Sequence, residues 1–358
     1  MTVEEESEIE SHLFNDKLRK YEDKLVEFLL DIAQSKRVNP KISTISSYLL
    51  IHGKLTQKEL KELTKFSIGS ISTFLSVMIG TGVFQKERIP RTHTFTYSFT
   101  GQLEDLTTKG IEIALSSFSP LDVYLIKKKD ELKKFIEQSK KGALHLFNRI
   151  DELLETFEIY KFLFPLLTKS STDESLKDIS SKSFKLISRE EEVKKISFDP
   201  EIYQVEDDIL NQLIASPMFS SRDPMFIRIL GYFITRKYLT QKRLKRITGL
   251  SAGKISEEVN LLLEDGLIEK SDISPKGKIT YGAESVGKLL LKFSRAVIIR
   301  MAKWDEELKK IRKELEDNRS NLERLNGYAR IYKIYEFLLE MISKYKIFID
   351  MTDKFLEI

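Results

Sequence analysis

The sequence predicts a mainly helical protein that carries two copies of one module, each of which ends in a short β-hairpin. Three observations support this expectation. One stretch of the first half recurs in the second half, apolar residues around it recur at helical spacing, and a β-rich segment follows each copy. Long helical stretches, at 111–168 and 286–358, come after the two modules.

The repeat is the most informative feature of the chain. LTQKELKELTKFSIGSIS in the first half returns as LTQKRLKRITGLSAGKIS in the second, and 10 of the 17 positions from Thr56 to Ser72 are identical. With the same offset of 184 residues, the match runs without a gap from Glu22 to Tyr97 of the first copy. An ungapped match of this length indicates a duplicated unit.

Each module is expected to open with two helices. Apolar residues of YEDKLVEFLLDIAQSK recur at helical spacing and would bury one stripe, and VEDDILNQLIA has the same character in the second copy. Pro40 and Pro224 then stand where a second helix would begin, because proline lacks an amide that the first turn of a helix leaves unpaired.

Two further helices joined by a tight turn are expected next. Thr56 and Thr240 are suitable N-caps for QKELKELT and QKRLKRIT, because a threonine oxygen can accept an amide proton of the first turn. Ser67 and Ser251 would cap the helix after the turn in the same way. The helical pattern restarts at once, so the two helices would form a helix-turn-helix pair.

A hairpin closes each module. Gly82 and Gly266 are expected to end the preceding helix, after which VFQKERIPRTHTFTYSF and LIEKSDISPKGKITYGA are β-rich. The first segment is broken by a turn at Pro90 and Arg91, and the second by a turn at 274–277. Helices and a hairpin in this order are typical of a winged helix-turn-helix. The predicted fold is therefore mainly α with small β-wings, in which long helices join two tandem winged helix-turn-helix domains as a pseudo-dimer.

The predicted domain organisation follows the order of the chain. The first unit would span 1–168, with its helix-turn-helix and wing at about 40–99, and the second would span 201–358, with the corresponding elements at about 224–283. Residues 169–200 are rich in serine, lysine and acidic residues, which predicts a polar linker. Each module is thus paired with the helical extension that follows it.

Composition limits the classes of function. The formal net charge is only +4, so a nucleic-acid site would need its positive charge concentrated on one face. The chain has no cysteine, which excludes disulfides and thiolate metal sites. No apolar run reaches the roughly 18 residues of a membrane helix, and the N-terminus MTVEEESEIE is unlike a signal peptide. We therefore expect a cytoplasmic protein with no membrane partner.

The first module also resembles a known family. The pattern P-x4-I-x2-YLL-x-HG-x-LTQKEL-x3-T-x-xS-x-GSIS-x2-L-x-x-M-x-x-x-GV is similar to the MarR superfamily, and within it to the GbsR branch of transcriptional regulators. The likeness covers about 21–100 and 205–285, and the segment at 301–315 resembles the helical tail of that branch. The resemblance implies DNA binding, with subunits that carry one winged helix each and dimerise through flanking helices.

Base-reading residues are expected on the exposed face of the helix after the turn, because an α-helix fits the major groove. In the first module this face would present Ser70, Ser72, Thr73 and Ser76, and in the second Lys254, Glu257 and Asn260. Hydroxyl groups discriminate bases poorly, whereas lysine favours guanine, asparagine adenine and glutamate cytosine. The two modules would thus read unlike half-sites of an asymmetric operator.

Phosphate contacts are expected from the preceding helix, its cap and the wing. The candidates are Lys58, Lys61, Ser67, Arg88, Arg91 and His93 in the first module, and Lys242, Arg243, Lys245, Arg246, Ser251, Lys270, Lys276 and Lys278 in the second. The span from Arg236 to Lys254 holds seven positive charges and no acid, so the second module should dominate affinity. The simpler interpretation of such a span is a solvated helix face.

The leading hypothesis is a sequence-specific regulator of transcription, most simply a repressor that blocks a promoter by occupying double-stranded DNA. The alternatives are an architectural DNA-binding protein and a tandem winged-helix scaffold that binds other proteins. A one-chain pseudo-dimer and a homodimer paired through the terminal helices, with four modules, both stay open.

The helical regions could also enclose an unidentified small-molecule effector, for which Tyr328, Tyr332, Tyr335 and Tyr345 would be an aromatic cage. Core packing is the commoner role of such residues. No cofactor, metal site or enzymatic activity is expected, because the four histidines are scattered. GAESVGKL at 282–289 lacks the Ser or Thr that a phosphate-binding loop needs after its lysine.

Overall fold

The computed structural model describes residues 11–167, 197–217, 219, 222–273 and 279–356. The chain forms two compact units, each mainly helical and each with a three-stranded antiparallel sheet. Unit 1 comprises Met1–Gln34, Val38–Leu106 and Lys303–Met341. Unit 2 comprises Ser35–Arg37, Thr107–Ala302 and Ile342–Ile358.

The first module lies in unit 1 and contains four helices and three strands. In chain order these are α1 (Arg19–Ser35), α2 (Pro40–His52), β1 (Lys54–Thr56), α3 (Gln57–Thr64), α4 (Ile68–Gly80), β2 (Phe84–Arg88) and β3 (Phe95–Phe99). The sheet has the order β1-β3-β2, with Leu55 opposite Tyr97 and Lys86 opposite the same tyrosine from the other side.

Two long helices follow, α5 (Asp105–Glu137) and α6 (Ala143–Leu163), and then the second module, which lies in unit 2. Its elements are α7 (Pro200–Ala215), α8 (Pro224–Arg236), β4 (Tyr238–Leu239), α9 (Gln241–Thr248), α10 (Ala252–Glu264), β5 (Glu269–Ile273) and β6 (Ile279–Gly282). The sheet order is β4-β6-β5. The chain ends with α11 (Val286–Ala302), α12 (Asp305–Asp317), α13 (Arg319–Leu322) and α14 (Tyr328–Leu356).

The capping residues confirm the helix starts predicted from the sequence. Thr56, Thr240, Ser67 and Ser251 are the N-caps of α3, α9, α4 and α10, and each side-chain oxygen accepts the amide N–H three residues later. Pro40 and Pro224 are the first residues of α2 and α8. Both copies carry these local signals, so the corresponding helices of the two modules begin at equivalent residues.

The sequence missed one strand of each sheet. It predicted a two-stranded hairpin, whereas β1 and β4 add a third strand on the free side of β3 and β6. β1 has three residues and β4 has two, which is too short for an alternating pattern to be visible. Their burial depends on the helix before and the helix after them.

The core of the first module joins its helices to its sheet. Ile45 and Leu49 of α2, Leu60 of α3, and Ile71 and Leu75 of α4 are all buried in one cluster. Ile71 and Leu75 thus form the buried face of α4. Burial of such side chains stabilises by about 1.5–3 kcal/mol each.

Unit 1 also contains helices from the far end of the chain. The Trp304 indole donates to Asp31 of α1 at 2.9 Å and lies edge-on to Phe28 at 5.7 Å. The Tyr335 hydroxyl of α14 donates to the carbonyl of Tyr21 at 2.9 Å. Arg330 donates to two carbonyls, of Leu50 and Ile51, that the end of α2 leaves unpaired.

Unit 2 uses the long helices α5 and α6 in an equivalent way. Arg149 of α6 is only 2% exposed and donates through Nε to the carbonyl of Ile234, near the end of α8, at 2.7 Å. Ile234 occupies the position that Leu50 occupies in the first copy. The Tyr160 hydroxyl donates to the carbonyl of Leu290 in α11 at 2.7 Å.

These contacts correct the predicted division at 1–168 and 201–358. Each unit contains one module together with helices from the other half of the sequence: α12 and α13 belong to unit 1, and α6 belongs to unit 2. The physical reason is the packing just described, in which carbonyls and apolar faces of a module are covered by helices from the other half of the sequence. The predicted linker at 169–200 lies largely outside the described residues.

A buried acid occupies the same place in both copies, and its partner differs. Glu206 of α7 binds Arg236, whose Nε donates to Oε1 at 2.7 Å. In the first copy Glu22 of α1 faces His52, with Nε2 at 3.0 Å. All four side chains are buried.

Removing the acid of the second copy should destabilise the protein strongly. We expect Glu206→Gln to lower the free energy of unfolding by about 3 kcal/mol, because it leaves the buried Arg236 charge uncompensated. Urea denaturation would measure it. Asp207→Asn is the matched control, since Asp207 pairs with Arg228 at a more exposed position and should cost less than about 1 kcal/mol. Equal effects of the two substitutions would refute a buried ion pair.

The turns after α3 and α9 provide a second prediction. Lys65 (φ 59°) and Gly249 (φ 72°) both adopt the left-handed conformation, and a Cβ at Gly249 would meet no atom within 4 Å. Gly249→Ala should therefore cost about 1 kcal/mol through backbone strain alone, and Lys65→Gly should stabilise by about 0.5 kcal/mol. Opposite shifts in the urea midpoint are the expected result, and shifts of the same sign would contradict it.

Candidate nucleic-acid interface

The turn between α3 and α4 sets the angle of the two helices. Their axes are bent by 112° across a break of a few residues, a value within the range of helix-turn-helix pairs. Among the described helices, none alone is long and apolar enough to cross a membrane, and α3 with α4 meets that criterion only when the two are taken together.

The exposed face of α4 carries no charge. Ser72, Thr73 and Ser76 are exposed and Ser70 is half-buried, so the structure brings the predicted base-reading residues to one face. The hydroxyls of Thr73 and Ser76 donate to carbonyls of their own helix at 3.0 and 2.9 Å. Two apolar side chains share the face, Ile68 at 41% and Val77 at 46% exposure.

The residues predicted to contact phosphate from α3 divide into exposed and structural groups. Lys58 and Lys61 are exposed, whereas the hydroxyl oxygen of Ser67 accepts the amide of Ser70 as the cap of α4. Sequence reasoning missed Lys41 of α2, whose ammonium lies 3.5 Å from the Ser70 hydroxyl. Lys41 therefore adds a cation beside α4.

An acidic residue lies at the start of α3. Glu59 forms a capping box with Thr56 and accepts the amide N–H of His12 at 2.6 Å. Burial alone would raise the pKa of Glu59, but hydrogen bonds from Thr56 and His12 outweigh it and lower the pKa. This carboxylate is therefore ionised and committed to the helix start.

The wing of the first module brings three predicted residues together. Arg88 ends β2 and donates through Nε to the carbonyl of Thr92 at 2.8 Å, and its guanidinium lies 3.5 Å from Nδ1 of His93. Arg91 occupies the turn with a φ of 63°. All three side chains are exposed at one tip, as minor-groove contact would require.

The second module concentrates its exposed charge on α9. Lys242, Lys245 and Arg246 are exposed. Arg243 is half-buried, because its guanidinium packs over the Tyr203 ring at 5.8 Å and donates to its hydroxyl. Ser251 is exposed and caps α10.

The predicted unopposed span from Arg236 to Lys254 needs correction. Arg236 and Lys237 are buried, and Arg236 is paired with Glu206, an acid that precedes it by 30 residues and was therefore invisible in a local count. The patch available to solvent is thus centred on α9 alone.

The face of α10 differs from that of α4. Lys254 is 39% exposed and pairs with Glu257 at 3.2 Å and with the buried Glu258 at 2.8 Å. These contacts, chiefly the hydrogen bond that Lys254 donates to Glu258, raise the pKa of Lys254. Glu257 and Asn260 are exposed. Asn260 is therefore the base-reading candidate on α10 that is most available to DNA. Lys254 would first have to break its ion pairs with Glu257 and Glu258.

The wing of the second module is described in part. Lys270 lies exposed on β5, next to an irregularity in the pairing between Lys270 and Asp272. Lys276 and Lys278 lie outside the described residues. Of the three lysines predicted for this hairpin, Lys270 alone lies within the described residues.

The tyrosines do not form a cage. The ring of Tyr335 is fully buried and its hydroxyl is bonded, while the Tyr328 hydroxyl donates to the carbonyl of Leu315 at 3.1 Å. Tyr328 stacks on Tyr332 at 6.1 Å.

Within the described residues no group of three or more His, Asp or Glu side chains could hold a metal ion. The amide of Val286, within GAESVGKL, donates to Glu152 at 3.0 Å and is already satisfied.

Two comparisons with known proteins add nothing to this geometry. No family model matches the chain, and no curated protein matches its sequence. The case for a function therefore rests on the exposed charge of α9, the open face of α10 and the contrast between the two modules.

Proposed function

We propose that the protein binds double-stranded DNA and regulates transcription, acting as a repressor that occupies its operator in the cytoplasm. Binding, not catalysis, is the activity. The observation that carries the proposal is the exposed cationic set on α9, Lys242, Lys245 and Arg246, placed before the open face of α10. The finer fold assignment, two tandem winged helix-turn-helix domains similar to the GbsR branch of the MarR superfamily, belongs to this proposal.

In the proposed interface, one helix of the second module would contact bases and another would contact phosphates. α10 would enter the major groove, where Asn260 can donate to and accept from the edge of an adenine. α9 and Lys270 would contact phosphates on either side, and the release of counterions would supply most of the affinity. The N-terminus of α10, capped by Ser251, would lie near the DNA backbone, and the amides of a helix N-terminus favour an anion such as phosphate.

The first module should contribute less affinity. Its α4 face is uncharged, and position 59 of α3 holds a committed glutamate where the second module has Arg243. Its exposed cations on α3, Lys58 and Lys61, are accompanied by the acids Glu59 and Glu62, and further cations lie on the wing and at Lys41. The operator is therefore proposed to be asymmetric, with a strong half-site for the second module.

A second candidate function is favoured by one observation. The exposed Ile68 and Val77 side chains on α4 are apolar, and uncharged apolar surface is more typical of a protein interface than of a DNA interface. In that alternative the first module binds another protein, and the chain is a scaffold.

Removing charge from α9 tests the phosphate contacts. We expect the double variant Lys245→Ala with Arg246→Ala to weaken binding to all DNA sequences and to reduce the salt dependence of log K by about two. Titration of a fluorescent duplex at several salt concentrations would measure it. Lys127→Ala with Lys134→Ala on α5 removes the same charge from another exposed surface and should change neither quantity. Equal losses of DNA affinity in the two double variants would mean that the protein attracts DNA only through its overall positive charge, without a specific contact from α9.

Replacing Asn260 should change the base preference of the protein and leave the salt dependence of DNA binding unchanged. We expect Asn260→Ala to reduce discrimination at one base position by about 1–3 kcal/mol and to leave the salt slope unchanged. Selection from a random duplex pool at two salt concentrations would reveal it. Enrichment without a motif would indicate an architectural protein, and absence of salt-dependent binding would indicate a scaffold.

A further inference from the structure

Unit 2 contains an unpaired guanidinium outside the proposed DNA-binding surface. Arg222 lies just before α8, with its guanidinium carbon 4.8 Å from the centre of the Phe293 ring and 5.4 Å from that of Phe219. Its Nη1 is buried and has no hydrogen-bond partner among the described residues. A buried donor on a charged group that stays unsatisfied is costly, so the site as it stands is incomplete.

A second guanidinium of unit 2 lies on the same group of rings. Arg37 is centred 5.4 Å from the Phe226 ring, and Phe226 lies 5.9 Å from Phe293. The carbonyl of Arg37 accepts the amide of Asp223, which follows Arg222 directly, at 2.8 Å. Arg37 lies 3.4 Å from Asp265, and its buried Nε has no hydrogen-bond partner in the part of the chain that the structure describes.

Lys36 adds a third positive charge. Burial, and then repulsion from Arg222, lower the pKa of Lys36 to about 8. Burial likewise lowers the pKa of Arg222, to about 10. Lys36 and Arg222 each keep part of their surface exposed to solvent.

The groups that face these cations do not neutralise them. Asp265 lies beside Arg37 alone, and the Asp223 carboxylate accepts the amides of Met225 and Phe226 as the cap of α8. The Tyr160 hydroxyl, near Arg222, is bonded to Leu290 and Ser294, and burial raises its pKa, so it stays neutral. No described carboxylate contributes to the shifts at Lys36 or Arg222.

We propose that Lys36, Arg37 and Arg222 form a binding site for a phosphate-class oxyanion, carried by a free ion or by a small phosphorylated molecule. A dianionic ligand matches this cluster better than a ligand with a single negative charge does. Among the described residues, the three cations have one protein carboxylate close to them, that of Asp265. Guanidinium groups bind tetrahedral oxyanions through directed N–H bonds, and the two free nitrogens supply such donors. The rings beneath them hold both guanidinium planes in place.

Sulfate is the first probe, because it is a dianion that does not titrate in the useful range. We expect sulfate to raise the thermal midpoint of the full-length protein above that in chloride at equal ionic strength. In Arg222→Met the gain should be lost. Arg228→Met is the matched control, because Arg228 already pairs with Asp207 at 2.7 Å, and its sulfate response should equal that of the unmodified protein.

The same variant separates ligand binding from a structural role. Without anion, Arg222→Met should fold and be at least as stable as the unmodified protein, because it removes an uncompensated charge. If Arg222→Met is instead clearly less stable in chloride, the arginine has a structural role and the proposal fails.

Proton uptake gives a readout independent of stability. At about pH 9 the Lys36 amine is largely neutral in the free protein, and a bound dianion would protonate it, so binding should take up nearly one proton per sulfate. Calorimetry in two buffers of different ionisation enthalpy would measure this. Lys36→Met should abolish the uptake. Sulfate binding with no proton uptake would place the anion elsewhere.

Two further titrations identify the source of the phosphate. Inorganic phosphate and a short random duplex are each added to the protein and to Arg222→Met. We expect phosphate to bind only the unmodified protein, with duplex affinity equal in both. If instead the duplex alone is weakened by the substitution, the cluster contacts the DNA backbone and is no site for a small ligand. Failure of the duplex to bind either protein would overturn the proposed function and leave this site intact.

Discussion

Each module depends on an arginine, half-buried in unit 1 and buried in unit 2, that satisfies the end of one of its helices. Arg330 binds the carbonyls that end α2, and Arg149 binds those near the end of α8. Unpaired carbonyls in a core would cost about 1–3 kcal/mol each, and a helix C-terminus attracts positive charge. In both units the arginine belongs to a helix from the other half of the sequence. Neither module can therefore complete its own core, and the division of the chain into units follows these contacts instead of chain order.

The duplicated copies have kept their backbone signals and changed their side-chain chemistry. Both retain the threonine and serine caps and the left-handed turn, because each cap stabilises the start of its helix. The buried acid is also retained, but its partner is His52 in one copy and Arg236 in the other. His52 presents Nε2 to Glu22 and Nδ1 to the carbonyl of His12 at 3.2 Å, so it also anchors the N-terminal segment of unit 1.

The sequence predicted what local signals determine and missed what distant contacts determine. Caps, turns and buried stripes could be recognised because each needs only a few neighbouring residues. The third strands could not, because β4 has two residues and pairs with a strand some 40 positions later. The charge of Arg236 could not be judged from its neighbours, since Glu206 lies in another helix. The pair of Lys254 with Glu258 was within reach, because residues four apart on a helix face each other.

The unequal charge of the two modules follows from how each starts its helix. In α3 the box between Thr56 and Glu59 satisfies two amides, and Glu59 also binds His12, so an acid is required at that position. In α9 the hydroxyl of Thr240 caps the helix without a glutamate, and the equivalent position is free to hold Arg243. Positions 62 and 246, a glutamate and an arginine, differ in the same sense. The cap of α9 is thus compatible with positive charge on the helix that precedes α10, whereas the capping box of α3 uses an acid. The difference in charge between the modules is therefore linked to folding as well as to the proposed DNA contact.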